Sequence, residues 1–122
     1  MSTTEFGKVV RMARLDAGVK LNEMAEALSV SPAFLSGLET GRKNISEEWI
    51  AKIAAYVRQS LNNPAPNLEA LASVANQSVP LDGLTPQHQM MVAGFARMKS
   101  LDPETERKFF ELLVAASGGG KK

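Results

Sequence analysis

The sequence predicts an all-α protein, on three observations. Apolar residues recur at spacings of three and four along the 122 residues, and no stretch alternates apolar with polar over five or more positions. Ser31-Pro32, Thr85-Pro86 and Asp102-Pro103 each set an N-cap residue before a proline, which starts a helix at no cost because the first amide lacks an intrahelical partner anyway.

The first helix is expected from about Thr4 to Asp16, with Phe6, Val9, Val10, Ala13 and the aliphatic part of Arg14 on one stripe and Gly18 as its stop. A short second helix follows, about Leu21 to Leu28, turning Leu21, Met24, Ala25 and Leu28 inward. The turn Ser29-Val30-Ser31 leads to a third helix, Pro32 to Glu39, and a polar loop, Thr40-Gly41-Arg42-Lys43-Asn44. Ser46 caps a fourth, Glu47 to Leu61, whose Trp49, Ile50, Ile53, Ala54 and Val57 form a 3.6-period apolar face with Tyr56 at its edge.

Asn62-Asn63-Pro64-Ala65-Pro66-Asn67 reads as the clearest break, since prolines remove donors and asparagines favour turns. The expected organisation is therefore an N-terminal domain over 1–61, a linker over 62–67, a C-terminal helical region over 68–117 and a flexible tail over 118–122. Within the C-terminal region, Leu68 to Ala75 reads as a short helix. Pro86 to Ser100 and Pro103 to Ser117 should pair as a helical hairpin.

Composition narrows the function classes. No membrane-length apolar run and no export signal are visible, so the chain reads as soluble and cytoplasmic. The absence of cysteine excludes thiolate metal sites and cysteine nucleophiles, and the single His88, expected at an exposed helix start, excludes a multi-histidine metal site in one chain. With no Gly-rich phosphate loop and with acids scattered over helix surfaces, an enzyme is the weakest reading, and no cofactor or metal is expected. The net charge of +1 says little about partners; its distribution has to decide.

Two short helices joined by three residues hold a steep angle only with a small residue at the crossing and apolar anchors on both sides. Ala25 is the small residue, and Met24, Leu28, Val30, Leu35 and Leu38 are the anchors. One face of the third helix is left free, about as wide as a DNA major groove admits. Residues 6 to 57 here resemble the Cro/CI type of lambda-repressor-like helix-turn-helix domain, found in phage repressors and bacterial regulators. The resemblance is carried by Phe6-Gly7-Lys8, Arg14 before Ala17-Gly18, Met24-Ala25, and Val30-Ser31-Pro32 through Leu35-Ser36-Gly37-Leu38-Glu39-Thr40-Gly41-Arg42. It implies a five-helix all-α DNA-binding domain, followed here by the helical hairpin. It also implies a partly buried structural ion pair between Arg14 and Glu39.

By the same resemblance the expected phosphate contacts are Lys20, the Ser31 hydroxyl and the loop Gly41, Arg42, Lys43 and Asn44; for Arg42 and Lys43 a plain solvated loop is the alternative. The outward positions of the third helix are Pro32, Ala33, Ser36, Gly37 and Thr40, and none carries a side chain able to contact a base edge in bidentate fashion. Hydroxyls, apolar contact with thymine methyls and DNA shape remain for readout. Gly37 is either a tolerated surface glycine or a point of close approach to the groove. Departures from the family are Lys20 where a Ser or Thr cap is usual, Leu21 where a polar residue is common, with Asn22 as a later cap, and Ser29 where glycine often takes a left-handed backbone.

Domains of this type bind two half-sites as two-fold dimers. Leu84, Met91, Phe95, Met98 and Leu101 line the first hairpin helix, and Phe109, Phe110, Leu112, Leu113, Val114 and Ala116 the second, too much apolar surface for two helices to bury. These stripes either pack on the N-terminal domain or form a homodimer contact; Met90, Met91 and Met98 also suit a different protein partner. The leading expectation is a dimeric repressor of transcription bound to double-stranded DNA. The alternatives are an antitoxin that binds a toxin and autoregulates its operon, and a protein-interaction module that has lost DNA binding.

Overall fold

In the computed structural model, which describes residues 3–118, side-chain oxygens open most of the helices. Thr4, Ser31, Ser46 and Thr85 accept hydrogen bonds from the backbone N–H of Gly7, Phe34, Trp49 and His88 at 3.0 to 3.2 Å, and Asp102 accepts from that of Thr105 at 3.1 Å. Each satisfies an amide the helix itself leaves unpaired. The helices are α1 (Glu5–Ala17), α2 (Leu21–Ala27), α3 (Pro32–Thr40), α4 (Glu47–Ala55), α5 (Leu68–Asn76), α6 (Pro86–Arg97) and α7 (Pro103–Gly118), and all but α2 and α5 start on such a cap. No strand occurs among the described residues, so the all-α class holds. The expected tail over 118–122 lies outside the described residues, except that Gly118 closes α7.

α1 and α2 end in the same way. Gly18 takes a left-handed backbone and its N–H and that of Val19 reach back to Leu15 and Arg14; Ser29 does so with φ 61°, its N–H and that of Val30 reaching Glu26 and Ala25. A serine thus occupies the strained position that a glycine fills at the end of α1.

The chain divides into two units after Pro80, not at residues 62–67. The first unit holds one core: Phe6, Val10 and Ala13 of α1, Met24 and Ala25 of α2, Leu35 and Leu38 of α3, Ile45, then Ile50, Ile53 and Ala54 of α4. Past Ala55 the helix widens into a π turn, Tyr56–Ser60, which keeps Val57 and Leu61 in that core.

The Asn/Pro stretch is a braced corner where the sequence reads as a linker. Arg58 donates to the carbonyls of Pro64 and Ala65 at 2.9 and 2.7 Å and grips the Glu69 carboxylate with two further bonds at 2.7 and 2.8 Å. Asn63 Oδ1 accepts from the Ala65 N–H at 2.9 Å, and Ala65 is buried. Leu68 and Ala72 of α5 are fully buried. The fifth helix of the domain is therefore α5, and the domain extends well past residue 61.

In the second unit, Gln89 donates to the carbonyls of Leu81 and Leu84 and so holds that turn on α6, and Phe95 meets Phe109 edge to face at 5.1 Å between ring centroids. None of residues 81–117 is buried. α6 stops at Arg97, short of the expected Ser100, and its C-terminal cap Met98 is already extended.

Candidate nucleic-acid interface

The interface is built on the packing that fixes α3. Arg14 of α1 is buried and pairs with the buried Glu39 at the end of α3, Nη2 to Oε1 at 3.2 Å and Nη1 to Oε2 at 2.5 Å, with Nη1 also 3.5 Å from Met24 Sδ. One arginine thus touches α2 and α3 together. A second tie was not legible from the sequence. The backbone N–H and the hydroxyl of Thr4 both donate to the Glu39 carbonyl, at 3.1 and 3.0 Å, so the start of α1 caps the end of α3. Gly7 lies beneath that carbonyl, where a Cβ would have no room.

With its inner side held by Leu35 and Leu38, α3 turns Ser31, Pro32 and Ala33 to solvent and leaves Ser36 half-buried. Two expected contact residues are placed otherwise. Gly37 is buried, because the Lys43 side chain crosses it and the Lys43 N–H bonds to its carbonyl at 3.1 Å; it is neither a bare surface glycine nor an open approach point. The Thr40 hydroxyl turns back to donate to the Ser36 carbonyl at 3.0 Å and accepts from Arg42 Nε at 3.3 Å, which occupies it within the helix end. Ser31 caps α3 through its oxygen, which leaves the hydroxyl hydrogen able to donate outward.

The loop after α3 turns at Gly41, whose φ of +83° suits glycine, and exposes Arg42, Lys43 and Asn44. Lys43 Nζ stands 5.9 Å from the centre of the Phe34 ring, and Phe34 meets Trp49 of α4 edge to face at 5.3 Å. Trp49 is thus half-buried against α3 and lies off the inward face of α4 with Ile50 and Ile53. Ser31, Ala33, Phe34, Gly37, Arg42 and Lys43 line one shallow concavity. Phe34 escaped the sequence reading because its position reads as an ordinary core aromatic.

Lys20 is exposed at the start of α2, and its N–H, not its side chain, makes the cap bond, to Glu23 Oε1 at 2.7 Å; Asn22 does not act as a cap. Among the described residues Lys20, Arg42 and Lys43 have no ion-pair partner, whereas Lys8, Lys52, Arg107 and Lys108 do. Arg11, Arg97 and Lys99 also have none; Lys20, Arg42 and Lys43 are the three that lie at the start of α2 and on the loop after α3.

A short helix, a four-residue turn and a capped second helix that share one core, with cations that form no ion pair beside the exposed end of the second, make a helix-turn-helix arrangement. Residues 5–62 match the family described as helix-turn-helix domain, a span that takes in α1 to α4 and ends before α5. No curated protein and no solved structure matches the chain. No helix among the described residues is long and apolar enough to cross a membrane.

Proposed function

We propose that the protein is a dimeric transcriptional regulator, a cytoplasmic repressor of the Cro/CI type, that lays α3 in the major groove of double-stranded DNA. The observation that carries this reading is the grouping of exposed, unpaired Arg42 and Lys43 beside the capped N-terminal face of α3. Lys20, the Ser31 hydroxyl and the loop from Gly41 to Asn44 contact phosphates and supply affinity by releasing counterions. Pro32, Ala33 and Ser36 face the bases, where apolar contact with thymine methyls and DNA shape supply the preference.

The hairpin supports a two-fold dimer. Met91, Phe95, Met98, Phe109, Phe110 and Leu113 are between 41% and 64% exposed, and Leu84 is half-exposed beside them. A helical pair of under about 40 residues does not hold its fold alone without oligomerising or a comparable support. Glu104, Lys108, Arg107 and Glu111 pair along α7 itself, so the apolar face meets a second copy of itself without charge conflict. Two such domains address half-sites about 34–36 Å apart.

Binding to random duplex DNA, titrated with salt, tests the reading. The parent should bind with a steep salt dependence, and the paired change Arg42→Ala/Lys43→Ala should bind more weakly with a slope shallower by about 2. Duplex binding equal for parent and variant removes the contact assignment. A protein that ignores DNA but co-purifies with a stoichiometric small partner is the antitoxin or interaction module instead.

A further inference from the structure

Ile45 closes the loop that carries Arg42 and Lys43. Its side chain is in the core, 2% exposed, but its peptide groups belong to no helix. Both are met by one side chain: the Ile45 N–H donates to Asn76 Oδ1 and the Ile45 carbonyl accepts from Asn76 Nδ2, each at 2.8 Å. A primary amide offers one acceptor and one donor in a plane, which is what an adjacent strand offers a residue across a ladder. Asp lacks the donor, Ser lacks the second group, and Gln sets the same amide one methylene too far out.

Asn76 can serve in this way because its own helix is fixed. It is the last residue of α5, which is anchored by the fully buried Leu68 and Ala72 and by the grip of Arg58 on Glu69. Between Thr40 at the end of α3 and the cap Ser46 of α4, the loop has one other backbone tie, from the Lys43 N–H to the Gly37 carbonyl. The exposed cations therefore lie between two fixed points, one supplied by α3 and one by α5.

We infer that Asn76 is a positioning residue for DNA binding: it holds the loop Gly41 to Asn44 in the form that presents Arg42 and Lys43 to phosphates. The inference rests on the DNA-binding reading given above. A loop ordered before binding does not lose that freedom on binding, so its order appears directly as affinity. Asn76 also lies outside residues 5–62, so the span that matches the helix-turn-helix family does not contain the residue that steadies its loop.

The test uses the full chain, random duplex DNA at low salt, and hydrogen exchange of backbone amides followed by NMR. Asn76→Ala is expected to bind about five- to tenfold more weakly and to lose protection at the Ile45 amide, while the amides of Leu38 and Ile53 keep theirs. Because both cations remain, its salt slope stays that of the parent, unlike that of Arg42→Ala/Lys43→Ala. Asn76→Gln keeps the polarity and should weaken binding too; it carries the test if Asn76→Ala fails to fold. A folded Asn76 variant that binds within about twofold of the parent, while the loss of Arg42 and Lys43 does weaken binding, overturns the positioning role and leaves the DNA reading intact. A parent that binds no duplex overturns both.

Discussion

Lys43 lays its aliphatic stem across Gly37: a methyl on that glycine would stand 3.2 Å from Lys43 Cγ and Cδ and 3.3 Å from Cε. Those atoms belong to an exposed, flexible side chain, so the stem moves aside at little cost. Gly37→Ala also gains helix propensity, worth up to about 1 kcal/mol in a helix interior. The variant should therefore be at least as stable as the parent by urea denaturation. Its duplex affinity should fall severalfold, because the displaced stem carries the Lys43 ammonium away from its place above Phe34. A drop in stability would mean that the stem is held more firmly than its exposure implies.

The scaffold of the domain was legible in the sequence because it is local. Caps, prolines and a 3.6-period stripe place α1 to α4 to within a residue or two at most ends, and the anchors Met24, Ala25, Leu35 and Leu38 are buried as their spacing requires. What was not legible depends on residues far apart. The corner at 62–67 has the composition of a linker, and only Arg58, reaching to the Pro64 and Ala65 carbonyls, makes it part of the fold. Gly37 reads as exposed until Lys43 crosses it. Thr4 and Asn76 reach across 35 and 31 positions to Glu39 and Ile45, and no periodicity announces such a pairing.

The buried pair of Arg14 and Glu39 sets a sharp contrast between single and double changes. Glu39→Ala strands the guanidinium among Met24 and the α3 core and should cost about 3–5 kcal/mol. Arg14→Met together with Glu39→Leu removes both charges and fills the space, and should lie within about 2 kcal/mol of the parent. Urea unfolding of the two single variants and the double completes the cycle. Additive losses would show that the two side chains act separately.

Glu69 gives the fold a modest sensitivity to acid. Hydrogen bonds from Arg58 hold its carboxyl below the usual range, and hold the Arg58 guanidinium above its own. A carboxyl lowered on folding adds stability above its unfolded value, about 4.3, and loses it as the pH falls through the lower folded value. The pair is about half exposed on the Glu69 side, so its worth is a few tenths of a kcal/mol. Glu69→Gln should be less stable than the parent at neutral pH, and the difference should vanish under acid below the folded value. A difference that persists there would assign the effect to packing of α5.

The exposed apolar face of the hairpin sets the last expectation, and the unit boundary at Pro80 decides how to test it. A chain cut near residue 63 loses Leu68 and Ala72, which are fully buried, so its behaviour would report a damaged core and not a missing dimer contact. Changes within the full chain avoid this. Phe110→Asp with Leu113→Asp places two charges at positions 59% and 64% exposed in the single chain, where they cost little unless a partner covers them. Burying an unpaired charge in an interface costs several kcal/mol, so the variant should sediment as a monomer at concentrations where the parent is a dimer. Its duplex affinity should fall as well, since each domain then holds one half-site alone, while amide protection at Leu38 and Ile53 in the first unit stays unchanged. A parent and variant that sediment alike would move the dimer contact away from this face and leave the first unit, with α3 and its loop, to supply it.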